Sequence, residues 1–184
     1  RCIGYVEITT GGTAGEWDNA ATKVQIMGPG VKRTGDVVQI VETYTGVAAT
    51  GTTALPGDNS IPQITEGDEY MTRAITPTSI INKLKIESQA LATHSAGSPL
   101  SIALFQDATA NALAAEGATY THQDYMVILI VSYSMIAGTI SATTFRIRIG
   151  GTGTGATTLF NSYSGGTQFN GVVPSFIRVT EIFA

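Results

Sequence analysis

A single cysteine, Cys2, stands in the 184 residues, so no disulfide can close within the chain and no cysteine-based zinc site can be assembled from it alone. Any bond through Cys2 is therefore intermolecular. Charge is scarce as well: Lys and Arg number 10 and Asp and Glu 14, or 13% of the chain, against about 25% in an average domain. The net charge of −4 supplies no basic field, and the cations are scattered, which argues against nucleic acid as a partner. The longest apolar run, Met126–Val131, falls far short of the roughly 20 residues of a membrane-spanning helix, so no membrane insertion is expected. The opening RCIGYVEITT has neither an initiator Met nor a basic-then-apolar leader, and this start is expected to follow processing or trimming of a longer chain.

What the chain has instead is Thr, 21 Gly and short β-branched runs separated by turn residues. In NKLKIESQAL, Leu84, Ile86, Ser88 and Ala90 share one face, while Lys83, Lys85, Glu87 and Gln89 share the other. That alternation marks a half-buried strand. In TTFRIRIG, Phe145, Ile147 and Ile149 point inward and Arg146 and Arg148 outward. VVQIVETYTG, DEYMTRAIT, SPLSIALFQD and SFIRVTEIF are further strand candidates, with IGYVEITT and TKVQIMG near the start. MVILIVSYSMI is apolar on both faces, which suits a central or interfacial strand. DATAN, Asp107–Asn111, reads as a hairpin connection between ALFQ and ALAAE, with a single helical turn as the alternative. The long segment TGVAATGTTALPGDNSIPQITEGDEY, punctuated by Pro56 and Pro62, reads as an extended connection over the surface or against a neighbouring subunit. Short strands with such turns point to an all-β sandwich or jelly roll of about one domain.

Chemistry finds little purchase. The two histidines, His94 in LATHSAGS and His122 beside Asp124, lack the nucleophile, base and orienting group of a hydrolase in any recognisable arrangement. Both read as loop histidines, with His94 alternatively near a symmetry axis where copies could share an ion. Asp58, Glu66, Asp68 and Glu69 have the wrong spacing for an EF-hand and read as solvated acids. Gly150–Gly155 follows a strand without the Lys and helix of a phosphate loop, and reads as a turn. No catalytic residue, cofactor or metal ligand is assigned. Aromatic and amide residues in loops suit sugar rings, which singles out Trp17, Asp18, Asn161, Tyr163 and Asn170 as candidate glycan or partner contacts. Trp17 serves equally well as a core plug. Met126, Ile128, Ile130 and Phe176 are the candidate oligomer-interface residues.

GDEYMTRAITPTSIINKLKIESQALATHSAGSPLSIALFQDATANALAA, then TTFRIRIGGTGTGATTLFNSYSGG and FNGVVPSFIRVTEI, together resemble a recurrent phage and prophage family of virion-associated proteins. The most specific stretches are ITPTSIINKLKIE, ALFQDATANALAA and SFIRVTEI. The resemblance covers residues 35–184 and leaves residues 1–34 as N-terminal strands, an assembly or anchoring segment. It implies a C1q/TNF-like antiparallel jelly roll, a homotrimer, with the C-terminal strand near the centre of a sheet. The expected function is a non-enzymatic virion structural protein at the particle surface: a capsid decoration, head-fibre or tail-fibre component that contacts other virion proteins. Two alternatives remain, a receptor-binding tip for host cell-surface glycans and a secreted glycan hydrolase.

Overall fold

The computed structural model describes residues 32–117, 125–153, 155–163 and 165–184. Among them lie strands β1 (Val37–Thr45), β2 (Ala49–Gly51), β3 (Asp68–Ile75), β4 (Lys83–His94), β5 (Leu100–Gln106), β6 (Ala114–Gly117), β7 (Val127–Ile136), β8 (Thr143–Gly151), β9 (Thr158–Phe160) and β10 (Ser175–Ile182), with a 3-10 turn at Gln168–Gly171. A six-stranded sheet runs β1-β10-β4-β9-β2, with β7 on the other flank of β4, and a four-stranded sheet runs β3-β8-β5-β6. Every pairing is antiparallel. The chain passes repeatedly from one sheet to the other, which is the jelly-roll arrangement. Strand β10 sits between β1 and β4, as expected for the C-terminal strand.

The alternation in the sequence decides what lies between the sheets. Leu84, Ile86, Ala90 and Ala92 of β4, with Ile177 and Val179 of β10, face Ile102 and Leu104 of β5 and Phe145, Ile147 and Ile149 of β8. All of these are fully buried, and each large aliphatic side chain so removed from water contributes about 2 kcal/mol. Ser88 falls on the same inward face and donates its hydroxyl to the Phe176 carbonyl at 2.8 Å, so the one polar member of the row is satisfied.

Of the connection from Gly46 to Gly67, Ala49–Gly51 is β2 of the six-stranded sheet, and the part beyond it covers the outer side of the four-stranded sheet. Leu55 is wholly buried there against Ala103 and Phe105, so β5 is buried on both faces. Its backbone is tied down as it goes: Leu55 N–H to the Gly151 carbonyl at 3.0 Å, Gly67 N–H to the Ala54 carbonyl at 2.8 Å, and Ile64 N–H to the Ala110 carbonyl at 2.8 Å. This is the surface-packed role expected of that segment. DATAN is the hairpin between β5 and β6, in which Leu104 pairs with Ala114 and Asp107 adopts φ 51°. The Asp107 carboxylate accepts the Thr144 N–H at 2.7 Å, which ties the hairpin to β8.

Two sequence readings change. Strand β7 is not central: among the described residues it pairs only with β4 and forms an edge. Its second apolar face is left outside rather than buried under another layer. Gly150 and Gly151 are not merely turn residues, since they close β8 and pack on opposite sides. A Cβ on Gly150 would lie 2.7 Å from both Leu55 N and the Thr53 carbonyl oxygen, and one on Gly151 would collide with the His94 imidazole. Close approach, not positive φ, is what these two positions require.

Gly151→Ala should therefore lower stability by about 1–3 kcal/mol in denaturant unfolding, as overpacking does. Gly153→Ala, whose added methyl meets open space, should leave the midpoint unchanged.

Candidate functional site

With the inward faces committed to the core, the outward face of the six-stranded sheet is left without a covering layer among the described residues. The register places its side chains in rows. Tyr44, Phe176, Gln89 and Ile130 lie across β1, β10, β4 and β7, with Leu91 and Ile128 beyond them. The next row holds Glu42, Arg178, Glu87 and Ser132, and the one after it Ile40, Thr180, Lys85 and Ser134. An apolar band thus runs beside a band of alternating charge. Ile128 is 60% exposed, Ile130 58% and Tyr44 56%, which is unusual for side chains of this size grouped on one sheet.

The charged row is internally organised. Arg178 Nε donates to Glu42 at 2.7 Å, its NH2 group donates to the Tyr44 hydroxyl at 3.1 Å, and its guanidinium lies 5.4 Å from the Phe176 ring centre. The bond to Glu42 pushes the Arg178 pKa further up, so this cation stays charged. Tyr44 and Phe176 meet with ring centres 5.5 Å apart, which makes the aromatic pair a fixed knob rather than two loose side chains. At the end of the face where β10 finishes, Ile81, Lys83, Met135, Ile136, Ile182 and Phe183 line a groove of about 750 Å³.

Behind this groove, Glu181 anchors the Thr76–Asn82 connection. Its side chain is fully buried and accepts from Gln39 Nε2 at 2.7 Å, Thr78 N–H and Oγ1 at 2.8 Å each, and Asn82 Nδ2 at 2.7 Å. Burial alone would raise its pKa, but these donors outweigh it and hold the carboxyl below its ordinary 4.5.

The residues selected from sequence divide clearly. Met126, Ile128, Ile130 and Phe176 all belong to or flank the outer face; Phe176 is half-buried beneath its neighbours and Ile128 and Ile130 stand out. Asn161 is a correction: it is wholly buried, and its amide donates to the Thr45 and Val47 carbonyls at 3.1 and 3.3 Å while accepting the Ser175 hydroxyl. It cannot meet a glycan, because a polar side chain in that interior corner is consumed by backbone groups. Tyr163 and Asn170 are exposed on the loop between β9 and β10. Trp17 and Asp18 lie outside the described residues, as do Cys2, His122 and Asp124.

His94 is a second correction. It is buried, with Nδ1 2.9 Å from Ser98 Oγ and its ring against Gly151, and burial lowers its pKa. A histidine in that position packs within its own chain and leaves almost no surface for an ion shared between copies. The acids are also dispersed: Asp58 accepts from Ser60, Asp68 from Thr53, Glu66 from the Gln63 N–H, and Glu69 pairs with Arg146 at 3.0 Å. Among the described residues no group of three or more His, Cys, Asp or Glu side chains comes together.

The arrangement of strands defines an all-β protein of jelly-roll type, and comparisons with known proteins add the following. No protein-family model matches the chain, and no curated protein matches it. Among solved structures it is similar to the Eiger TNF of S. frugiperda, at 11% identity and a TM-score of 0.46, over 78% of this chain and 93% of that one. It is also similar to the protein of infectious bursal virus derived T=1 particles, at 11% identity and a TM-score of 0.37, over 98% of this chain and 41% of that one. A third similarity is to the enzymatically active domain of bacteriophage CBA120 tailspike protein 4, at 14% identity and a TM-score of 0.27, over 67% of this chain and 18% of that one. Such likeness concerns the fold alone.

Glu181→Gln should cost about 1–3 kcal/mol at neutral pH, because a buried acceptor is replaced by a group that must also place two donors. A carboxyl held below 4.5 stabilises fully above that value, and the contribution disappears as pH falls through the lower folded value. Unfolding midpoints followed through acid pH should consequently decline less steeply in the variant than in the wild type.

Proposed function

We propose that this chain is a non-enzymatic structural component of a virus particle that assembles as a homotrimer through the outward face of its six-stranded sheet. The apolar band of exposed Ile128, Ile130 and Tyr44 with half-buried Leu91, laid beside the Glu42–Arg178–Glu87 row, is the observation that carries the reading. A lone protein keeps such a surface wet at a cost of roughly 25 cal/mol per Å² of apolar area, which assembly relieves. The charged row gives a second copy a defined register, since like charges brought together oppose any other docking. The resemblance of ITPTSIINKLKIE, ALFQDATANALAA and SFIRVTEI to phage virion-associated proteins supports the particle and the threefold number. Capsid decoration, head fibre and tail fibre are all compatible with a domain that buries one face in its own copies and presents its loops outward. Other virion proteins would then be met through those loops or through the groove beside Phe183.

Light scattering tests this directly. The wild type should have three times the mass of the 19.2 kDa chain, and Ile130→Lys should reduce that mass to one chain while leaving the circular dichroism of the sheets intact. A wild-type monomer would overturn the reading, and so would an Ile130→Lys protein that stays fully assembled.

A further inference from the structure

The end of the molecule opposite the Phe183 groove is built differently. There the connection after β1 and the long loop between β9 and β10 are locked together. Gly46 lies so close to the Gly171 carbonyl that any side chain would collide with it. Asn161 fastens the first loop from beneath through the Thr45 and Val47 carbonyls. On this rigid base the backbone turns left-handed at Phe169, Asn170 and Gly171 in succession, with φ of 46°, 54° and 86°. A bulky residue in that region is strained, and the Phe169 ring, 73% exposed, gains no core packing in return. Val172, whose N–H donates to the Phe169 carbonyl, is exposed as well, and so is Tyr163 earlier in the same loop.

The two connections themselves carry no charged residue in sequence. No Lys, Arg, Asp or Glu occurs between Arg148 and Arg178, nor between Glu42 and Asp58. On the loop between β9 and β10 an anionic ligand would find no cation and a basic one no carboxylate. What is offered is two aromatic faces with the side-chain amides of Gln168 and Asn170.

We infer that Phe169, Tyr163 and Asn170 form a binding site for a neutral carbohydrate at this end of the domain. A pyranose presents a C–H face and a hydroxyl rim, which match an exposed ring and a neighbouring amide. The inference goes beyond the assembly reading and does not need it, since the loops lie at the opposite end from the groove and outside the Ile128–Ile130 band.

The probe is an array of immobilised neutral oligosaccharides of hexose and N-acetylhexosamine units, alongside sialylated and sulfated ones. The wild type should bind at least one neutral glycan with an affinity insensitive to salt. Phe169→Ala should weaken that binding at least about tenfold, the order of one lost ring-face contact. Phe169→Gly, which suits the left-handed backbone, should lose binding while unfolding at an equal or higher midpoint, a result no folding defect produces. Ile81→Ser, at the other end, should bind as the wild type does, and the solution mass of the Phe169 variants should be unchanged. Retention of no neutral glycan, retention confined to anionic glycans, or full binding by Phe169→Gly would each overturn the site.

Discussion

Strand β4 is the constraint on which the rest of the structure depends. Its twelve residues pair with β10 and β9 along one side and with β7 along the other, so three strands take their register from one. Because side chains alternate, a slip by one residue would expose Leu84, Ile86 and Ala90 and bury Lys83, Lys85 and Glu87. The cost of burying those charges fixes the register more firmly than the hydrogen bonds themselves. From that single choice follow both the core on the inward side and the composition of the outward face.

The two sheets are finished in different ways. The four-stranded sheet has its outer side closed by the chain itself, through Leu55 and the backbone ties of the Gly46–Gly67 connection. The six-stranded sheet has no such cover among the described residues, and Ile40, Ile128, Ile130 and Ile136 remain exposed on it. In a chain without an internal disulfide, stability has to come from packing, and on this face the strands bring several exposed aliphatic side chains together on one sheet.

Much of the fold was legible because period-two alternation is a direct consequence of strand geometry. NKLKIESQAL, TTFRIRIG and SFIRVTEIF became β4, β8 and β10 with the expected faces inward. DATAN as a hairpin was legible from its turn chemistry. What alternation cannot report is the position of a strand in its sheet, so MVILIV reads as central or interfacial, and of the two the central position is the one the pairing excludes. Nor does a local pattern show which polar side chains the tertiary fold encloses. Asn161 and His94 sit among Ser, Thr and Gly, a composition shared by wet loops and by buried polar corners. The need for glycine at positions 150 and 151 arises from Leu55 and His94, which approach from distant parts of the chain. Phe169 lies in the same aromatic loop as Asn170, but the left-handed backbone that sets it apart has no signature in its sequence neighbours.

The central claim, that the outward face of the six-stranded sheet is covered by other copies of the chain, can be tested within one sample by hydroxyl-radical footprinting. Tyr44 lies on that face and Tyr163 on the loops, and in a single chain they are 56% and 44% exposed, so each serves as a reference for the other. In the assembled protein Tyr44 should be strongly protected while Tyr163 reacts freely. Tyr44 reacting at least as fast as Tyr163 would contradict the account and leave the face open to solvent.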